Sequence, residues 1–392
     1  MALQAIFARR ALTPQHEIAD AVVLIDGEKI GAVGRRDEVA VPVSARRYDK
    51  RDFSIVPGFI DVHIHGAAGY DVMDSSAGAL AAITAGVAAR GTTSFLATTV
   101  TASEESTSRA VEGVAGWMER AASERTGGAP SAEILGVHFE GPFISRARRG
   151  VHPEEWIVAP SISLLRRLLA AAKGAARILT LAPELPGAAE LIAEALQAGL
   201  VVSLGHTDAS YAEATAAISC GARHAAHVFN AMRPFAHRET GVVGAVLTSA
   251  SVTAELIADG VHVDDAAIRV LFGAKGPQGV ILVSDGVAAT GMPDGKYRLG
   301  TFEVSVAGGV ARNSDGKLAG STLTLDRALR HMAALGIPLR EVLPMLTSNP
   351  ARLLGLERRK GWLVAGADAD LVLLDDQLQV TGVMTRGAGL QD

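Results

Sequence analysis

Six short apolar runs in this chain end in a histidine or an acid: His63-Ile64-His65, His138-Phe139-Glu140, Gly205-His206, His227, Asp259-Gly260-Val261-His262 and Ser284-Asp285. If the runs are strands, their period of two puts His63 and His65 on one face, where two imidazoles can hold a divalent cation. Glu140, His206 and His227 add a carboxylate and two imidazoles, a first shell suited to zinc or a related ion. Taken singly, each is more often a buried polar residue satisfied by hydrogen bonds, and a lone His-x-His is weak evidence. Converging at one end of one fold they favour a metal, because uncompensated buried charge is costly.

Asp285 ends the run Val280-Ile281-Leu282-Val283, where an unpaired carboxylate is expensive unless it faces a cation or its water. A metal lowers the pKa of its water toward about 7, and an adjacent carboxylate can take that proton and later deliver it to a leaving group. The alternative is a cap on the following segment. His152, in Arg149-Gly150-Val151-His152-Pro153, could donate to a carbonyl oxygen or be an ordinary surface histidine. Arg238, in the loop His237-Arg238-Glu239, suits a phosphate or carboxylate, or is a solvated loop charge. His138 and His224 read as supporting or structural.

The elements that position these residues repeat one theme from about Ile55 to Asp285: a short run rich in Val, Ile and Leu, a polar tip, then an Ala-rich stretch of helical spacing. The runs are Ile55–His65, Thr93–Thr99, Ile134–Glu140, Ile178–Pro183, Val201–His206, His224–Asn230, Val252–Asp259 and Val280–Asp285. Their continuous apolar character predicts parallel strands covered on both faces. Helices are expected over Ala77–Arg90, Glu104–Ala122, Ile162–Ala172, Ala188–Gln197 and Tyr211–Ser219. Eight such units predict an α/β fold, a (β/α)8 TIM-like barrel, whose active sites lie at the carboxyl ends of its strands. The flanks differ. Ala21–Ile25 and Lys29–Val33 around Asp26-Gly27-Glu28 form a hairpin signal, and Leu371–Leu374 and Val380–Thr385 are similar runs. Residues 1–52 and 361–392 are therefore expected to build one small β-sandwich domain, with the barrel, 53–360, inserted between them. Gly286 to Gly320 reads as a loop and hairpin before a last helix, Leu323 to Leu335.

Composition excludes several function classes. With 37 Lys+Arg against 42 Asp+Glu, the net charge of −5 provides no basic field for nucleic acid, and 4% aromatics provide no base-stacking surface. Mean hydropathy is +0.25, yet no apolar run approaches the roughly 18 residues of a membrane span. The apolar start of the chain is interrupted by Arg9 and Arg10, with Thr13-Pro14-Gln15-His16 following, and does not read as a signal peptide. The single cysteine, Cys220, fits a reducing compartment, so a cytoplasmic location is expected. Glycine spacing matches no nucleotide-binding motif.

In order along the chain, Pro57-Gly58-Phe59-Ile60-Asp61-Val62-His63-Ile64-His65-Gly66, His138-Phe139-Glu140-Gly141-Pro142-Phe143, Gly205-His206-Thr207, His227-Val228-Phe229-Asn230-Ala231-Met232, Ala258-Asp259-Gly260-Val261-His262, Val283-Ser284-Asp285-Gly286, Leu318-Ala319-Gly320-Ser321 and Asn349-Pro350-Ala351 resemble the motifs of the N-acetylglucosamine-6-phosphate deacetylase family of the amidohydrolase superfamily. The resemblance runs from about Val56 to Asp375. It implies a divalent metal held by Glu140, His206 and His227, with zinc the first choice and iron, cobalt or manganese as alternatives. It also implies a second ion held by His63 and His65 and bridged by Glu140, as in members that carry His-x-His; other members work with one. Asp285, also a metal ligand, is the implied general base and then acid, and His152 polarises the acetyl carbonyl. The implied substrate-binding set is Val151, His152, Asn230, Ala231, Arg238, Asp259, His262, Leu318, Ala319, Gly320 and Ser321. Asn230, Ala231 and Arg238 hold the phosphate, His262 touches the sugar, and the backbone of Leu318 to Ser321 closes over it. The arginine serves the neighbouring subunit, implying a homodimer. One departure is Glu239-Thr240-Gly241, where many members carry Pro before the Gly. The implied reaction is hydrolysis of the acetamide of an amino-sugar phosphate, in amino-sugar catabolism and cell-wall recycling. Open alternatives are the galacto epimer, another N-acyl or cyclic amide, and a non-enzymatic scaffold on the same fold.

Overall fold

The computed structural model describes residues 3–13, 16–123 and 128–391; part of Thr13-Pro14-Gln15-His16 lies outside them. All eight expected barrel strands are present: Phe59–Ile64, Thr92–Thr99, Glu133–Glu140, Ala176–Leu181, Val201–Leu204, His224–Ala225, Thr253–Leu256 and Val280–Leu282. Each pairs in parallel with the next in chain order. Every residue of the first two strands is buried, which is why their sequences run apolar on both faces. The ring closes where Asp285 N–H donates to His63 O at 2.9 Å and His65 N–H to Gly286 O at 2.8 Å.

Strands five to eight are shorter than their apolar runs. The backbone leaves the sheet before His206, His227 and Asp285, which adopt φ of 46°, 25° and 49°. Left-handed backbone at non-glycine residues is uncommon and costs energy. Here it turns these side chains across the mouth of the barrel instead of along its wall. Five helices match their expected spans to within two residues, and Ser76, Ser161 and Ser210 cap three of them, the last in a reciprocal capping box with Glu213. Gly241–Thr248 and Asp265–Lys275 follow strands six and seven. After strand eight a three-stranded antiparallel sheet, Gly295–Leu299, Phe302–Ala307 and Val310–Arg312, precedes the last barrel helix, Leu325–Ala334.

The two chain ends share a six-stranded sheet, in the order Val380–Met384, Leu371–Leu374, Arg46–Pro57, Gln4–Leu12, Glu17–Asp26, Lys29–Arg35. Arg46–Pro57 runs into the first barrel strand across Gly58 alone, where a Cβ would collide with Thr93. A buried ion cluster joins this sheet to the foot of the barrel. Lys360, 2% exposed, lies 2.7 Å from Glu133, 2.8 Å from Asp368 and 2.6 Å from Asp370. Arg359 pairs with Glu133 and Asp368, and Lys29 reaches Asp368 at 2.6 Å. Burial pushes the Glu133 and Asp368 carboxyls up, but Lys360 and its neighbours outweigh this and hold both at about 2. Asp370, wholly enclosed, is raised by its burial and works in the opposite sense.

Glu133 and Asp368 therefore contribute stability that is present above their unfolded pKa values near 4 and lost as pH falls toward 2. Thermal melts in chelator across that window should fall more steeply for wild type than for Asp368→Asn. Lys360→Met, which leaves three carboxyls beside an absent cation, should cost about 3–5 kcal/mol in urea unfolding.

Candidate active site

The structure brings His63, His65, Glu140, His152, His206, His227 and Asp285 together at the mouth of the barrel. Glu140, 2% exposed, ends strand three at the centre. Its Oε1 lies 3.2 Å from His63 Nε2, 3.0 Å from His206 Nε2 and 2.9 Å from His227 Nε2. Its Oε2 lies 3.3 Å from His65 Nε2 and 3.1 Å from His152 Nε2. Asp285 Oδ1 faces the pair on strand one, 3.2 Å from His65 Nε2 and 3.7 Å from His63 Nε2.

The other ring nitrogens decide what these contacts mean. His63 Nδ1 faces Glu255 Oε2 at 2.8 Å, His65 Nδ1 faces Thr98 O at 3.2 Å, and His206 Nδ1 faces Arg148 O at 3.0 Å. Each partner only accepts, so these Nδ1 atoms carry hydrogen and a neutral ring turns an Nε2 lone pair toward Glu140. Lone pairs against a buried carboxylate are unfavourable without a positive charge between them. In keeping with this, His63 Nε2 is buried without a hydrogen-bond partner. Burial pushes the His65 imidazole down, but hydrogen bonds to Asp285 and Glu140 raise it to about 9, and His63 is likewise raised, by Glu255 and Glu140. Burial also works on Glu140, yet the surrounding rings, His63 foremost, hold its carboxyl well below the usual range. The field that draws protons onto these rings is the field that would hold a divalent cation. Ligand atoms of His63, Glu140 and His227, and of His63, His65 and Asp285, lie close enough to share an ion in each set. The donors, imidazole nitrogen and carboxylate oxygen, suit zinc and its neighbours.

His152 has the opposite tautomer. Thr101 N–H donates to its Nδ1 at 3.2 Å, so the hydrogen sits on Nε2 and points at Glu140. Burial and the nearby His206 push its imidazole down to about 4, keeping it a neutral donor. No sequence signal picked out Thr101.

A cavity of about 160 Å³ opens above this cluster. Of the expected substrate-binding residues, Val151, His152, Asn230, Ala231, His262, Leu318 and Gly320 line it. Asp259, Ala319, Ser321 and Arg238 do not. Asp259 instead accepts from His262 Nδ1 at 2.7 Å and from the backbone of Val261 and His262, fixing the ring that faces the cavity. Ala319 is wholly buried against the three-stranded sheet. Ser321 N–H donates to Asp285 O at 2.7 Å and its hydroxyl to Ser284 O, so it braces the Asp285 turn. Arg238 is exposed on its loop and reaches nothing in this chain's cavity. Val100 and Leu299 also line the cavity; as single apolar residues in distant segments they carry no sequence signal.

The sequence model of the amidohydrolase family matches residues 54–388, a span that holds the whole of this cluster. The chain belongs to the amidohydrolase family. Among curated members, it is 38% identical over 382 residues to the N-acetylglucosamine-6-phosphate deacetylase of Bacillus subtilis (strain 168), covering 94% of this chain and 96% of the relative. It is 37% identical to the N-acetylgalactosamine-6-phosphate deacetylase of Escherichia coli O157:H7, covering 97% of each. Among solved amidohydrolase structures, a variant N-acetyl-D-glucosamine-6-phosphate deacetylase from Mycobacterium smegmatis, in complex with N-acetyl-D-glucosamine-6-phosphate, superposes with a TM-score of 0.91 at 36% identity over 99% of each chain. No helix among the described residues is long and apolar enough to cross a membrane.

Gly320 has φ of +57°, and a Cβ there would lie 2.5 Å from Val287 Cγ1 and 2.8 Å from Asp285 O. Gly320→Ala should therefore cost about 1–3 kcal/mol in urea unfolding and lower kcat by displacing the Asp285 turn. Unchanged stability and turnover would show that the turn does not depend on this contact.

Proposed function

We propose that the chain hydrolyses the acetamide of N-acetyl-D-glucosamine 6-phosphate to D-glucosamine 6-phosphate and acetate, in amino-sugar catabolism and cell-wall recycling. The meeting of Glu140, the five imidazoles and Asp285 at the floor of a lined cavity carries this reading. Its support from relatives is that amino-sugar-phosphate deacetylases match nearly the full length of the chain. Glu140, His206, His227, His63, His65 and Asp285 would hold one or two divalent ions, zinc by preference, with iron, cobalt or manganese as alternatives. Such an ion supplies Lewis acidity at the acetyl carbonyl and lowers the pKa of its water toward about 7.

The chain's own residues do the rest. His152 donates its Nε2–H to the acetyl carbonyl oxygen, where negative charge develops. As water adds to the acetyl carbon and the C–N bond breaks, Asp285 takes the water's proton at Oδ1 and delivers it to the departing nitrogen, as its place beside His65 and the cavity allows. Val151 and Leu318, with Val100 and Leu299, form an apolar wall that keeps water off the acetyl group. His262, oriented by Asp259, meets the sugar, and Asn230 and Ala231 meet the phosphate. Arg238, exposed and outside the lining of its own cavity, serves the neighbouring subunit of a homodimer. The division into a terminal domain and a barrel at 52/53 and 360/361, with the strand Arg46–Pro57 carrying the terminal sheet on past the first of these to Gly58, and a cytoplasmic setting belong to the same proposal. The Escherichia coli relative favours a second reading, N-acetylgalactosamine 6-phosphate, with the same machinery.

Acetate release from N-acetylglucosamine 6-phosphate, its galacto epimer and unphosphorylated N-acetylglucosamine, in zinc and in chelator, tests the assignment. Strong preference for the first substrate is expected, and release from none of them by zinc-loaded protein would overturn it. Asp285→Asn should lower kcat by about 10²- to 10⁴-fold, the usual worth of a general acid-base, while zinc remains bound. Arg238→Ala should raise KM for the phosphorylated sugar about ten- to a hundredfold, matching roughly 1.5–3 kcal/mol for a charge-assisted hydrogen bond. It should leave the unphosphorylated sugar nearly unaffected.

A further inference from the structure

Glu255 lies in strand seven, Thr253–Leu256, inside the largely apolar run Val252–Asp259. It is completely buried. Its Oε2 accepts from His63 Nδ1 at 2.8 Å and from His227 N–H at 3.0 Å, and its Oε1 accepts from His224 Nε2 at 2.8 Å. Thr253 Oγ1 holds the far side of the His224 ring at 2.7 Å. Three donors, from strand one, strand six and the strand-six tip, thus converge on one carboxylate. A buried charge with no Lys or Arg paired to it among the described residues is costly unless the surrounding groups require it. Here they do, because Glu255 sets the tautomer of His63. With Nδ1–H given to Glu255, His63 turns Nε2 toward Glu140 Oε1 and Asp285 Oδ1, at 3.2 and 3.7 Å.

We propose that Glu255 is a positioning residue that makes the site binuclear, fixing His63 so that the strand-one pair takes a second divalent cation beside the one at Glu140, His206 and His227. The inference rests on the two-ion form of the reading above. A neutral Gln at 255 can still accept from His63 and His227 N–H if His224 moves its proton to Nδ1, but it is a weaker acceptor. A Met removes the acceptor altogether.

The test is zinc chloride titrated calorimetrically into the metal-free full-length protein, with bound zinc counted after dialysis. Wild type should bind two equivalents and His63→Ala one. Glu255→Gln should weaken the second equivalent about 10- to 100-fold, the usual effect of losing a partner behind a metal-bound histidine, while keeping the first. Glu255→Met should retain one. In the His63→Ala background, Glu255→Gln should change nothing further, which a merely structural role would not predict. Two equivalents of wild-type affinity in Glu255→Gln, or equal loss of both, overturns the role of Glu255 while leaving the two-ion reading intact. One equivalent in wild type, unchanged by His63→Ala, overturns that reading as well. If Glu255→Met does not fold, the Gln variant alone decides.

Discussion

A buried carboxylate ringed by imidazoles that have already given their N–H elsewhere is the constraint on which this molecule depends. Glu140 has five Nε2 atoms within 3.3 Å, and at least three of those rings hold their hydrogen on the far nitrogen. Only positive charge reconciles lone pairs with a carboxylate in so dry a place. The barrel supplies the geometry: five strands deliver one or two ligands each, and the left-handed backbone at His206, His227 and Asp285 points them inward rather than along the wall. His152 is the exception that gives the site a neutral donor, because Thr101 occupies its Nδ1 from the main chain.

The fold was legible in the sequence because a parallel barrel buries both faces of each strand, so its strands read as unbroken apolar runs even where, as at His224–Ala225, only two residues enter the ladder. The clustered histidines and acids were legible for the same reason: a polar residue ending an apolar run has few physical excuses. His63 and His65 follow from the strand period alone. Glu255 escaped notice because it sits inside its run, and its partners, His63 and His224, belong to other strands of the ring. Asp259 and Ser321, expected at the substrate, are not in the cavity lining and brace His262 and the Asp285 turn instead: a motif marks which residues belong to a loop, and only the folded chain shows which face inward.

The terminal sheet belongs to the same economy of charge. Lys360 lies among Glu133, Asp368 and Asp370 where the third barrel strand begins, at the opposite end of that strand from Glu140. One strand therefore begins in a structural ion cluster and ends in a chemical one. The direct passage from Arg46–Pro57 through Gly58 into the strand of His63 leaves no slack between the two units.

The barrel is sealed at the backbone of the same residues whose side chains meet at its mouth. Asp285 and Gly286 join strand eight to strand one at His63 and His65, and Asp61 accepts from Ser284 N–H across 223 residues of chain. A ribosome-bound chain therefore has neither a closed ring nor Asp285 beside the strand-one histidines until strand eight has emerged and docked against the first. Such long-range pairing forms late. The full convergence of rings and carboxylates at the mouth is thus a property of the completed fold alone, with strand eight its last contributor.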